Sequence, residues 1–323
     1  MRLPEVLHHQ HAPGRLDAIT DVAGIRVGHT TLRSSSLQTG VTAVIPSVLG
    51  TPAGLFVGNG HGKLTGATQV RELGTLETPI LLTGTLSTFR VADALVGWLI
   101  EREPSLRSIN PVVGECNDGW LSDIRARPIS AEHVTHALQS ATGGPVAQGN
   151  VGAGTGMCAL GFKGGIGTAS RVADGATVGV LVQSNFDGLL RFGPRYVDPP
   201  ASEPVTRAAN SCMIVVATDA ALDARQLGRV ARRAVFALSR VGAGFTHGSG
   251  DYAISLTTAS GPGIADADLS PLFGATMEAT EAAVLKSLLA AQTVTGFEGR
   301  TAHALRDVHP GLLDELSIDV SPV

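Results

Sequence analysis

In the stretch "TRAANSCMIVVATDAAL", Asn210-Ser211 stands at the head of an apolar, β-branched run over 212–218. Such a run reads as a buried strand. A small polar pair in that place is ordinarily a turn. It also has a chemical reading. A serine hydroxyl held at the start of a rigid strand can attack the carbonyl of the residue before it, if that peptide is strained and an oxyanion site is ready. The acyl group moves from nitrogen to oxygen, water cleaves the ester, and a new chain begins at Ser211. Its free α-amine, with an ordinary pKa of ~7.7, can then serve as general base for its own hydroxyl. This is N-terminal-nucleophile chemistry, a variant of triad logic. The pair alone leaves both readings open.

Other residues able to do chemistry stand at the ends of further apolar runs. Asn185 follows a strand expected over 177–183, and a neutral amide suits an oxyanion because it need not titrate. Ser249 and Asp251 lie in "HGSGD", ahead of another strand. Glu115, Asn117 and Trp120 lie in "GECNDGW". Each also has an ordinary reading, as a strand-end turn, a glycine turn or a surface carboxylate. Several motifs fail on context. "VGAGTG" has neither the strand before it nor the helix within it that a dinucleotide fingerprint needs. "GNGHGK" lacks the first glycine of a phosphate loop, with Val57 in its place, and has Leu64 where a Ser or Thr binds magnesium. No Gly-x-Ser-x-Gly elbow occurs, although a dispersed triad needs none. The histidines are scattered, and His8, His9 and His11 fall in an N-terminal stretch expected to be mobile. No metal site is expected.

These residues need a large core to hold them. The chain has 323 residues, 43% hydrophobic, with 40 glycines and few aromatics, which suits close-packed layers and tight turns. Buried strands are expected over 43–46, 54–57, 79–84 and 111–114. A helix from Ser87 to about residue 100 is expected to bury Phe89, Ala92, Leu95, Val96 and Leu99. "SAEH" from Ser130 resembles a capping box that lacks its glutamate. Residues 185–210 have no period and several prolines, and read as one long exposed loop. Helices follow over 223–241 and 275–294. The β and α elements lack the rhythm of a parallel βαβ sheet, so an α+β fold of two packed sheets with helices outside, a four-layer αββα sandwich, is expected over a single domain of residues 1–323. The net charge of -4 gives no case for nucleic acid or an anionic membrane. The N-terminus carries no signal-like pattern, and no run approaches a membrane span. Cys116, Cys158 and Cys212 have no metal-type spacing, which points to a reducing compartment. A soluble cytoplasmic protein is expected.

Taken in order, "TDVAGIRVGHTT", "GECNDGWLSDI", "GNVGAGTGMCALGFKGGIGTASR", "VGVLVQSNF", "NSCMIVVATDA", "HGSGDYAISLTT" and "ATMEATEAAVLKSLLAAQTVTG" resemble the DmpA / β-aminopeptidase family, the L-aminopeptidase/D-esterases of peptidase family S58. The likeness covers about residues 15–305. It implies a precursor that cleaves itself once, between Asn210 and Ser211, into an α chain 1–210 and a β chain 211–323. It implies an αββα fold resembling N-terminal nucleophile hydrolases with different connectivity, and no metal or organic cofactor. It makes Ser211 the nucleophile, Asn185 the oxyanion donor, and Ser249 and Asp251 the groups that tune the nucleophile. Glu115 would pair with the substrate's free amine, with Asn117 and Trp120 as further substrate contacts. Some members use a tyrosine from this neighbourhood, and "GECNDGW" has none. The implied substrates are short peptides, amides or esters bearing a small L-residue, a β-amino acid or a D-residue. The implied assembly is a homotetramer of processed units. Two other readings stay open: an acyltransferase like ornithine acetyltransferase, and an uncleaved binding protein on the same fold.

Overall fold

The structure is a computed structural model that describes residues 7–200 and 211–315. Its apolar runs lack alternation because the strands are covered on both faces. Four strands, β1 (Ile25–Arg33), β2 (Gln38–Pro46), β5 (Ile80–Gly84) and β6 (Val112–Cys116), form one sheet in the order β1-β2-β5-β6. The other sheet contains β3 (Thr51–Gly60), β4 (Thr75–Leu76), with the short helix α1 (Ala67–Leu73) between these two, β7 (Gly165–Ala173), β8 (Ala176–Asn185), β9 (Ser211–Thr218) and β10 (Gly250–Thr257). Its order is β4-β3-β10-β9-β8-β7, and only the central β9–β10 pair is parallel.

Side chains on successive positions of one strand enter different layers. On β9, Met213 and Val215 meet Val44, Ile80 and Leu82 of the facing sheet. Ile214 and Val216 instead pack under α4 (Ala224–Ala237) and α5 (Ser270–Ala290), against Leu227, Val230 and Ala279. On the far side, Val41, Ala43 and Leu81 face α2 (Thr88–Arg102) and α3 (Ala131–Gln139) through Val91, Leu95, Val134 and Leu138. The result is the expected order of helix, sheet, sheet, helix. Glycine sets the spacing of the outer layers. A Cβ on Gly167 would strike the Ala283 carbonyl of α5, and one on Gly54 would strike Gly228 of α4. Neither contact leaves room for alanine.

Local signals fix the helix starts. Asp223 accepts from the Gln226 amide at 2.7 Å, and the Gln226 side chain answers at the Asp223 amide, a closed capping box. At Ser130 the missing glutamate is replaced by His133, whose Nδ1 accepts the Ser130 N–H at 3.0 Å.

Some expectations need correction. Phe89 is 65% exposed. The buried face of α2 runs through Thr88, Val91, Ala92, Leu95 and Leu99, one position out of phase with Phe89. The expected exposed loop after Asn185 is not irregular throughout. Leu190–Phe192 and Arg195–Val197 pair as a hairpin, and Leu190, Phe192 and Val197 enter the core. The remainder of that loop, 201–210, including Asn210, lies outside the described residues. The last long helix ends at Ala290, and Val294–Thr295 instead pairs with Thr301–Ala302. Two of the three N-terminal histidines are docked: His9 bonds Glu281 at 3.2 Å and His11 meets Glu278 at 3.1 Å, both on α5, while His8 is exposed. No helix among the described residues is long and apolar enough to cross a membrane.

Candidate active site

Sheet order brings the candidate residues to one end of the sandwich. Ser211 opens β9. Its antiparallel partner is Asn185, at the end of β8, and its parallel partner is Gly250, at the start of β10. Adjacent strands run about 4.8 Å apart, so this register alone draws Asn185, Ser211 and the Ser249–Asp251 turn together. Glu115 and Asn117 come from the facing sheet, at and just beyond the end of β6.

The Ser211 hydroxyl is nearly buried, 3% exposed, and its Oγ accepts the Asn117 backbone N–H at 3.3 Å. The Asn117 side chain is used within its own turn, where Oδ1 accepts the Gly119 N–H at 2.8 Å. The Cys116 thiol lies against Ser211, and burial raises it far above the usual range despite that contact. It is a neutral wall beside the serine.

Asn185 is fixed by its oxygen. Oδ1 accepts the Cys158 N–H at 2.9 Å, which leaves the NH2 end as the free donor. The loop carrying Cys158 is held by Lys163, whose fully buried Nζ donates to the carbonyls of Gly154 (3.2 Å), Met157 (2.7 Å) and Gly164 (2.8 Å). The glycine-rich stretch, with no cofactor motif in it, is thus the cradle of one asparagine.

Ser249 Oγ donates to Asp251 Oδ1 at 2.7 Å. The other carboxylate oxygen, Oδ2, is buried without a hydrogen-bond partner among the described residues. Burial pushes the Asp251 pKa up, and the Ser249 bond only partly opposes this.

Glu115 is 3% exposed, not a surface carboxylate. Its Oε1 accepts the Lys63 backbone N–H at 3.0 Å and the Lys63 ammonium at 3.3 Å. Ser211, Glu115, Asn117 and Lys63 line one cleft of about 250 Å³, with His61 and Thr85 beside them. Trp120 does not line it. Its ring faces the Arg300 guanidinium at 5.2 Å, and its indole N–H is buried without a partner among the described residues.

Sequence reasoning missed three neighbours. Lys63 sits in the "GNGHGK" segment that fails as a phosphate loop. The tyrosine of the site, Tyr252, lies outside "GECNDGW". It comes from β10, where burial and the Glu115 charge push its phenol up. Asp118 is buried, which raises its pKa to about 6 against a hydrogen bond from Thr39. Of the three, Asp118 and Tyr252 each adjoin a candidate residue, Asn117 and Asp251, whereas Lys63 adjoins none.

Two packed sheets with helices outside, and a serine at the head of a central strand, define a fold of the N-terminal-nucleophile hydrolase type. The fold is similar to the L-aminopeptidase D-Ala-esterase/amidase of Ochrobactrum anthropi, described as a new variant of that hydrolase fold. The TM-score is 0.86 at 31% identity, over 98% of this chain and 97% of the other. A Burkholderia β-aminopeptidase aligns with a TM-score of 0.86 at 36% identity, covering 98% of this chain and all of that one (100%). The β-peptidyl aminopeptidase of Sphingosinicella microcystinivorans is 38% identical over 91% of this chain and 86% of its own length. The chain belongs to peptidase family S58, whose sequence profile matches residues 17–302. It is a hydrolase of the aminopeptidase class.

Proposed function

We propose that the chain cuts itself between Asn210 and Ser211 and then acts as a serine aminopeptidase through Ser211. In the first step the Ser211 hydroxyl adds to the Asn210 carbonyl and the C–N bond breaks. The Ser211 nitrogen takes the hydroxyl proton and becomes a free amine, and water hydrolyses the ester to leave an Asn210 carboxylate. The freed amine of Ser211 then serves as base for its own Oγ. The hydroxyl attacks the first carbonyl of the substrate, and the Asn185 NH2 donates to the oxyanion. The leaving amine or alcohol takes the proton. Water, deprotonated by the same amine, releases the acyl group from Oγ. Asp251 Oδ2 holds the Ser211 ammonium in the resting enzyme, and Ser249 orients that carboxylate. Glu115 receives the substrate's free ammonium and so restricts cleavage to the first residue.

The observation that carries this reading is the Asn185–Ser211 register with Cys158 anchoring the asparagine oxygen, because it leaves an amide donor beside the hydroxyl. The substrates are short peptides, amides or esters with a small L-residue, a β-amino acid or a D-residue first. Asn117 contributes its backbone N–H to the serine. The working particle on this reading is a cytoplasmic homotetramer of processed units, which light scattering and cell fractionation test. The reaction itself is tested by intact mass spectrometry under denaturing conditions. Two species summing to the full chain plus one water, the smaller beginning at Ser211, are expected. Ser211→Ala should give one species of 33.1 kDa and no hydrolysis. Two species from that variant would refute the assignment.

A further inference from the structure

Glu115 does not meet the substrate alone. Lys63 is held beside it by its own backbone: its N–H bonds Glu115 Oε1 at 3.0 Å, Leu64 pairs with Gly114, and the Thr65 N–H bonds the Val113 carbonyl at 3.0 Å. Its ammonium donates to Glu115 Oε1 at 3.3 Å and to Thr85 Oγ1 at 2.7 Å. An ammonium has three donors, and these bonds use two. Glu115 Oε2 takes no hydrogen bond among the described residues. The cleft that holds Ser211 therefore presents one open cationic donor beside one open anionic acceptor. The Lys63 side chain is 40% exposed, so it can turn toward a bound group, whereas Glu115 at 3% cannot leave.

We propose that Lys63 makes this site selective for acyl residues that carry a carboxylate next to their amine, the β-aspartyl group above all. In a β-aspartyl peptide the ammonium and the carboxylate share one carbon, two bonds from the scissile carbonyl. The ammonium sits on Glu115 and the carboxylate on Lys63, so four charges alternate in sign around one ring. In an α-aspartyl residue the two groups lie on different carbons and reach the pair less well. A neutral β-alanyl group leaves Lys63 facing only Glu115, where it competes with the substrate amine. This inference rests on the proposed Ser211 aminopeptidase. The chemistry is unchanged: the acyl carbon passes from nitrogen to Ser211 Oγ and then to water, releasing aspartate.

The test uses the processed enzyme and three 4-nitroanilides: β-aspartyl, its α-carboxamide analogue of the same shape without the charge, and β-alanyl. In the wild type, kcat/KM for β-aspartyl should exceed that for the carboxamide by ~10-fold or more, as expected of a charge-assisted contact. The ratio should shrink in high salt. Lys63→Met should invert it, and Lys63→Arg should keep it. The salt series needs no variant, so it stands even if a substitution disturbs folding. If the wild type cleaves β-alanyl and the carboxamide as fast as β-aspartyl, the Lys63 proposal is overturned while the aminopeptidase stands. If none of the three is cleaved by processed protein, the Ser211 reading fails and takes this proposal with it.

Discussion

Replacing Lys163 by methionine tests the scaffold behind Asn185. No carboxylate among the described residues pairs with the Lys163 ammonium. Burial, opposed by Cys158 and reinforced by Arg33, pulls its pKa from 10.5 down to about 8. Below pH 8 the native state therefore carries the charge at a penalty of about 3 kcal/mol. Methionine removes that penalty together with three hydrogen bonds. The carbonyls of Gly154 and Met157 keep partners in the N–H groups of Met157 and Gly164. The Gly164 carbonyl keeps none among the described residues, which costs ~1–3 kcal/mol. The two effects nearly cancel at pH 7. Between pH 8 and 10.5 the native lysine has released a proton that the unfolded chain still binds, so wild-type stability gains with rising pH and the variant lacks that gain. The pair should melt within a few degrees of each other at pH 7. By pH 10 they should have moved apart by about 3 kcal/mol, on the order of 5 °C for a chain of this length. Both are compared in the Ser211→Ala background, so that each is one uncut chain. A gap that stays flat from pH 7 to 10 would refute the reasoning. In the processed enzyme, Lys163→Met should also lower kcat more than it raises KM, because Met157 and Cys158 are neighbours and Cys158 anchors Asn185.

Asn185→Ala should lower kcat by roughly 10²–10³ with little change in KM, as loss of an oxyanion donor does; an unchanged kcat would move the oxyanion site elsewhere. Asp118, raised to about 6 by burial, favours the native state at low pH and loses that contribution as pH rises through 6. Asp118→Asn should therefore melt higher than wild type at pH 7.5, by up to about 3 kcal/mol, with the gap shrinking to about 1 kcal/mol at pH 4.5. Thermal melts at the two pH values decide this. Gly167→Ala should lose more than about 2 kcal/mol, because the new methyl meets the Ala283 carbonyl and overpacking against a helix backbone has no cheap relaxation; urea titration reads it directly.

Much of the architecture was legible because burial on two faces leaves an uninterrupted apolar run, as over 212–218. The helix over 223–241 was legible from its own apolar spacing. The Asn210-Ser211 pair was legible because it breaks the pattern at the head of such a run. What escaped depends on partners far along the chain. Lys63 meets Glu115 only because the segment after β3 is stitched to β6 of the other sheet. His9 and His11 are ordered by glutamates at the other end of the chain. Phe89 was misplaced because the phase of a helix is set by the sheet beneath it, and Val91, Leu95 and Leu99 fit that sheet. Leu190, Phe192 and Val197 hid among prolines and arginines, where no period marks a short hairpin.

The order β4-β3-β10-β9-β8-β7 has a consequence for a chain cut before Ser211. The two central strands would belong to one piece, and the two strands on each side to the other. Neither piece owns the whole of this sheet, so neither can build by itself the core that lies between the two sheets. A cut at that point would therefore have to follow folding. Pulling the pieces apart means breaking a ladder on both flanks of the wedge at once. Unfolding would then separate two molecules, and recovery would require them to meet again, so it would depend on concentration. Such a protein is durable by the slowness of its opening rather than by its power to refold.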